Sequence, residues 1–225
     1  MIMDFLITVP IFSEMDQDSL IEVSKITTER SYPKGSMIIL EEEYGDKLFI
    51  VQSGTVKITR VNDEGKEVIL ALLGSSEIFG EMAILDGESR SANVLAQEAC
   101  SLLVISREDF INILKKNFKV SFALMSELAK KLRKSDLQIE ALSLSDAEHR
   151  IGVSILNLAE DMGVIRNGKV TIQNLPFQQD IANMAGTSRE TVSRGMKTFE
   201  DRNLILKEGH TVIIPDYLFF KGFFK

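Results

Sequence analysis

The chain has 225 residues, of which 26% are charged and 44% hydrophobic, and a formal net charge of −7. That length gives room for one large domain or two ordinary ones with a real core, and the composition excludes a disordered chain. No apolar run approaches the roughly 20 residues needed to cross a bilayer. The opening "MIMDFLITVPIF" carries Asp4 and has no basic leader, so a cytoplasmic protein is expected.

A single cysteine, Cys100, excludes an intramolecular disulfide and any all-cysteine zinc or iron–sulfur site within one chain. Its setting, "EACSLLVIS", reads as that of a buried core thiol. The two histidines, His149 and His210, have no partners at ligand spacing, so no metal site is expected. The acidic total runs against nucleic-acid binding, but charge is unevenly spread. From Phe177 onward seven Lys/Arg face six Asp/Glu, a balance of +1 that leaves −8 for the rest.

In chain order, residues 1–27 show short helical patterns with polar breaks. From Ser31 to Ser106 the runs "SMIIL", "KLFIVQ", "TVKITR", "EVILALL", "ANVLAQ" and "CSLLVIS" are separated by glycines, which hold half of the chain's 14. Short strands with glycine turns predict an antiparallel barrel or roll. No Gly or Pro occurs between 107 and 151, and the pattern there is helical. Met125, Leu128, Leu132, Ser135, Ile139 and Leu142 step by threes and fours. That heptad seam predicts a homodimer through the 120–142 helix; the competing reading is a helix laid on its own barrel. Ser145 and Glu148 form a capping box that opens the next helix, and "VIRNGKVTI" predicts a hairpin at Asn167-Gly168.

Two stretches carry chemistry. In "FGEMAILDGESRSANV" (79–94), Gly80, Glu81 and Met82 are followed by Arg90, Ser91 and Ala92. Spacing alone leaves two readings open, a surface ion pair or a site for a small anion bearing hydroxyls. In "FQQDIANMAGTSRETVSRGMKTFEDRNLI" (177–205), Ile181, Ala182 and Met184 give a short helix and Gly186 a turn. Ser188 caps a second helix whose Val192, Met196 and Phe199 are apolar. Arg189, Glu190, Ser193, Arg194 and Lys197 fall on its other side. This is the plan of a helix-turn-helix, whose second helix reads base edges in the major groove. Arginine can clasp guanine there, and glutamate can accept from a cytosine amino group. A solvated helix with a Glu190–Arg194 pair is the bland alternative; the Gly186 turn and the wing-like "LILKEGHTVII" favour DNA. The aromatic tail "DYLFFKGFFK" is expected to dock on this domain rather than to present a partner or membrane surface.

These segments in this order, together with "YPKGSMIILEEEYGDKLFIVQSGTVKI", resemble the Crp/Fnr family of bacterial transcription regulators over nearly the full length. The resemblance implies an α+β chain with an N-terminal cyclic-nucleotide-binding antiparallel β-roll at 1–106. A long dimerisation helix region at 107–144 and a C-terminal winged helix-turn-helix at 145–225 would follow. It also implies that Gly80 and Glu81 hold a ribose, that Arg90 and Ser91 hold a cyclic phosphate, and that Met82 and Ala92 line the site. Family members reach the base from the long helix, where Ser135 and Asp136 align. Cyclic AMP is then the first choice of effector and cyclic GMP the second.

Ser188, Arg189, Glu190, Ser193, Arg194 and Lys197 would meet a palindromic TGTGA-like site. Phe177 departs from the family's frequent phosphate-contacting threonine. RNA polymerase is the implied protein partner, and no membrane is implied. The alternative is a regulator of this architecture that senses another small molecule or a redox signal, with the nucleotide motif vestigial. Without a nucleophile–base pair, metal cluster or P-loop, no enzyme is expected.

Overall fold

The computed structural model describes residues 2–224. Helix α1 (Ile2–Leu6), a 3-10 turn (Pro10–Phe12) and α2 (Gln17–Ile26) lead into strands β1 (Thr28–Tyr32), β2 (Met37–Ile39), β3 (Lys47–Ser53), β4 (Val56–Val61), β5 (Glu67–Leu73) and β6 (Ile78–Phe79). Helix α3 (Glu81–Asp86) precedes β7 (Asn93–Ala96) and β8 (Cys100–Ser106). The eight strands make two four-stranded sheets, ordered β1-β8-β3-β6 and β2-β7-β4-β5.

The unbroken apolar runs of β3 and β8 follow from burial on both faces of one sheet. Leu48 and Ile50 of β3, with Leu103 and Ile105 of β8, face a core shared with Leu6, Phe12, Leu20, Phe110 and Leu124. The alternate residues Phe49, Val51, Leu102 and Val104 face a second core with Val56, Phe79, Val94 and Cys100. Strand β1 was not evident in the sequence because "TERSY" is exposed along four of its five residues and carries no apolar alternation. It is held by its register with β8, from Thr28↔Val104 to Tyr32↔Cys100.

The helical stretch after Ser106 is two helices. In α4 (Arg107–Lys116) the Ser106 side chain caps the start, and at the end Asn117 N–H bonds Ile113 O. Helix α5 (Phe118–Leu144) follows directly. Its residues Val120 and Leu124 are buried and Leu128 packs against the same core. Leu128, one of the expected seam residues, is thus partly buried against the roll of its own chain. Other residues of the expected seam are open to solvent, Met125 at 55%, Leu132 at 64% and Ile139 at 61%, together with Phe118 at 76% and Phe122 at 59%.

Helix α6 (Ala147–Met162), strands β9 (Gly163–Arg166) and β10 (Lys169–Ile172), helices α7 (Gln178–Ala185) and α8 (Arg189–Asp201), strands β11 (Leu206–Glu208) and β12 (Thr211–Ile214), and α9 (Tyr217–Phe224) complete the chain. The cap of α6 differs from the expected box. Asp146, not Ser145, accepts from His149 N–H at 2.8 Å, because adjacent capping residues compete for one position and the carboxylate takes it. The hairpin turn lies where predicted, with Asn167 at φ 50° and Gly168 at φ 79°, the left-handed pair that suits a two-residue loop. A third sheet runs β11-β12-β10-β9.

Contacts divide the chain into two compact units. One holds Leu70–Arg133 with the chain up to Arg60; the other holds Val61–Ile69 with the chain from Lys134 on. Helix α5 contributes residues to both.

The aromatic tail docks by half. Phe220 and Phe224 of α9 are buried, while Leu218, Phe219 and Phe223 are exposed. Phe224 meets Phe199 of α8 at 5.1 Å and His149 at 5.6 Å between ring centroids. Its ring lies where a Cβ on Gly152 would stand, 2.2 Å away, so only glycine fits there. Phe224→Ala is expected to cost about 3 kcal/mol of stability in urea unfolding. Leu218→Ala, on the open face, should cost less than about 0.5 kcal/mol.

Candidate functional site

Gly80 turns the chain from β6 into α3 with φ +80°, a left-handed conformation that favours glycine. Any Cβ there would also stand 2.6 Å from Arg90 Nη1. This close approach lets the Arg90 guanidinium donate through Nη1 to Gly80 O at 2.8 Å and through Nη2 to Lys47 O at 2.9 Å. Arg90 is 6% exposed and sits 5.9 Å from the Phe49 ring centroid. Burial pushes its pKa down, opposed by the carboxylates of Asp46, Glu81 and Glu43. A guanidinium carries five N–H donors, so two backbone bonds leave three for an incoming anion.

Glu81 follows Gly80 at the start of α3 and is 4% exposed. Its Oε1 accepts from Lys131 Nζ of α5 at 2.7 Å, and the same ammonium donates to Ile78 O at 3.2 Å. Glu81 pairs with Lys131, while Arg90 is clamped to carbonyls. Ser91 is exposed, and its hydroxyl makes a weak 3.8 Å contact with Met82 Sδ. Ala92 is buried and small. A buried guanidinium with spare donors, an exposed hydroxyl and a buried carboxylate acceptor suit a small ligand with a phosphate and a sugar hydroxyl.

In the second unit, the Ser188 hydroxyl caps α8 by accepting from Thr191 N–H at 3.2 Å. Val192, Met196 and Phe199 bury one face of that helix. Ser188, Arg189, Glu190, Ser193, Arg194 and Lys197 are all exposed. Bonds from its own backbone N–H and from the Ser188 hydroxyl hold the Glu190 carboxyl below its usual range, which keeps it an acceptor. Arg194 donates to Thr191 Oγ1 at 3.4 Å. Gly186, at φ +59°, ends α7 as the turn requires.

A model of the cyclic nucleotide-binding domain matches residues 29–117, and a Crp-like helix-turn-helix domain matches 150–218. The Cyclic AMP receptor protein of Thermus thermophilus is 36% identical over 176 residues, 78% of each chain. The chain belongs to the Crp/Fnr family. It is a DNA-binding transcription regulator with a cyclic-nucleotide-binding domain. The cAMP-activated global transcriptional regulator CRP of Haemophilus influenzae is 34% identical over 184 residues, 81% of this chain and 82% of that one. The structure of FixK2 from Bradyrhizobium japonicum shares the Crp/Fnr fold, with a TM-score of 0.76 at 21% identity over 88% of this chain and 96% of that one.

On this Crp/Fnr framework the roll brings Gly80, Glu81, Met82, Arg90, Ser91 and Ala92 to one corner. Ser135 and Asp136 belong to the second unit and are exposed on α5. Phe177 stands as the N-cap of α7 without a side-chain cap bond and is exposed. Three residues of the first site escaped the sequence reading. They are Lys131, Gly45 and Lys47, the last of which acts through its carbonyl. A Cβ on Gly45 would lie 2.9 Å from Arg90 Nε and 2.5 Å from Ala83 Cβ. The one available signal was that Lys131 precedes Ser135 by four residues, one helical turn on the same face. Cys100 is buried with its thiol donating to Thr55 O and Glu98 O, each at 3.2 Å, and burial raises its pKa. That setting disfavours the thiolate that a redox sensor needs.

Proposed function

We propose that the protein is a homodimeric regulator gated by a cyclic nucleotide, with cyclic AMP first and cyclic GMP second, acting on a palindromic TGTGA-like site. The observation that carries the reading is the buried Arg90, fixed by two carbonyls with donors to spare beside the buried carboxylate of Glu81. Arg90 and Ser91 take the cyclic phosphate, Glu81 the ribose hydroxyl, and Gly80, Met82 and Ala92 shape the corner. Ser135 and Asp136 are the residues assigned to the base. The curated relatives named for cyclic AMP support that nucleotide over others. The β-roll at 1–106, the helical region 107–144 and the winged helix-turn-helix at 145–225 are the corresponding functional parts.

Ligand binding shifts the population towards a dimer whose two recognition helices sit one helical turn of DNA apart. RNA polymerase is the expected protein partner. Calorimetric titration with cyclic AMP, cyclic GMP and a cyclic dinucleotide tests the reading. Heat with one of the mononucleotides and enhanced binding to a TGTGA palindrome support it; silence from all three overturns it. At the DNA, Ser188, Arg189, Glu190, Ser193, Arg194 and Lys197 form the reading face. Glu190→Ala is expected to relax preference at a single base pair by about tenfold in a binding assay across site variants. A uniform loss on all sites would make Glu190 a structural residue.

A further inference from the structure

The carbonyls that close the helix-turn-helix turn are held by one side chain. Arg150 lies in the first turn of α6 and is half-buried. Its Nε donates to Ala185 O at 2.8 Å and its Nη2 to Gly186 O at 3.4 Å. Its Nη1 donates to Ser145 O, in the junction between α5 and α6, at 2.8 Å. The turn itself creates the need for these bonds, because a helix leaves its last carbonyls without intrahelical partners. At the end of α7 the N–H groups of Gly186 and Thr187 fold back onto Ala182 O. The Ala185 and Gly186 carbonyls take their donors from Arg150 instead. A cation suits that end of a helix, and the flat guanidinium fork reaches both carbonyls and the junction at once.

The turn leads straight into α8. Ser188, two residues after Gly186, caps that helix, and Arg189 and Glu190 follow. The body of α8 has its own supports on α6. Val192, Met196 and Phe199 are buried, and a Cβ on Gly195 would stand 3.0 Å from Ile151 Cδ1. The C-cap residue Arg202 donates to Glu148 Oε1 at 2.8 Å. The first turn of α8 depends on the turn before it, and that turn meets the end of α5 in two ways. One is the Arg150 bridge to Ser145 O. The other is Leu142, whose Cδ2 lies 3.0 Å from where a Cβ on Gly186 would stand.

We propose that Arg150 is a positioning residue for DNA reading. By tying the turn to the α5–α6 junction it fixes the start of α8, and so the aim of Arg189 and Glu190, without itself meeting a base. Three of its five donors are engaged with carbonyls. This role rests on the reading of α8 as the recognition helix.

Two variants of the full chain test it. Arg150→Met removes every donor, and Arg150→Lys keeps the charge but not the fork. The first measurement is hydrogen exchange without DNA. Amides of 187–192 should exchange about tenfold faster in either variant, since bonds from a charged donor are lost, while those of 196–199 keep their protection. The second is binding to a duplex that the wild-type protein selects from a random pool with cyclic AMP present. Affinity for that duplex is expected to fall about tenfold or more, with binding to a scrambled duplex changed less than about twofold. The salt dependence should not change, because no phosphate contact is lost. In a Glu190→Ala background the further loss should be less than about threefold, because coupled residues are not additive.

A merely structural role would lower the unfolding temperature and both duplex affinities together. A phosphate contact would lower both affinities and flatten the salt dependence, and a role through charge alone would be restored by lysine. Each of these results overturns the proposal, as does unchanged exchange in either variant. If Arg150→Met does not fold, Arg150→Lys carries the same readouts. A wild-type protein that enriches no duplex defeats the reading of α8 itself, while the exchange measurement still decides whether Arg150 holds the turn.

Discussion

Arg90→Leu is expected to abolish ligand-stimulated DNA binding while leaving a folded protein. The side chain makes two demands on its surroundings, and leucine meets neither. Its fork holds Gly80 O and Lys47 O at 2.8 and 2.9 Å, and its remaining donors are the proposed phosphate contacts. Removing one partner of a buried charge contact costs about 2–5 kcal/mol, a loss of roughly 30-fold to several thousand-fold in ligand affinity. The fold should survive, because leucine removes a buried charge as well as its bonds and can lie against the Phe49 ring. Arg90→Lys separates charge from geometry. A lysine is a point charge that cannot span both carbonyls, so it should recover only part of the affinity, leaving a deficit of about tenfold. Titration calorimetry with cyclic AMP and DNA binding with and without ligand are the measurements. Arg90→Leu protein with an undiminished ligand response would remove Arg90 from the proposed mechanism.

Much of the architecture was legible because its causes are local. The core strands announce themselves as "KLFIV" and "CSLLVI", since a sheet buried on both faces needs apolar residues at successive positions. The recognition helix is legible from one cap and one apolar face, and both lie where spacing placed them. What escaped has long-range causes. Lys131 and Glu81 are 50 residues apart, and no periodicity marks such a pair. Gly45 matters only because Arg90, distant in sequence, is folded over it. Strand β1 is polar and exists by pairing with β8 rather than by its own pattern. Periodicity also shows which residues of a helix share a face, but not what covers that face. For that reason the spacing that put Leu128 in a seam between chains gave no sign that it also packs, half-buried, against the roll of its own.

Leu128 and Leu132 should consequently respond in opposite ways to the same substitution. They are one turn apart on α5, yet Leu128 packs with Val120 and Leu124 on the roll core while Leu132 is 64% exposed. If the open stripe of Phe118, Phe122, Met125, Leu132 and Ile139 is the dimer seam, Leu132→Glu places like charges opposite one another across it. The expected result is a monomer in sedimentation equilibrium whose unfolding, followed for the isolated chain, is little changed. Binding to a TGTGA palindrome should fall by about 100-fold or more, because two half-sites engaged by linked domains become two independent events. Ligand affinity should persist in part, since Gly80, Glu81, Arg90 and Ser91 all lie in the roll. Leu128→Glu instead buries a charge in the roll core, and should lower the unfolding midpoint sharply before any effect on association is seen. A Leu132→Glu protein that still sediments as a dimer, together with a Leu128→Glu protein that is stable but monomeric, would restore the seam through Leu128 and assign the open stripe to another partner.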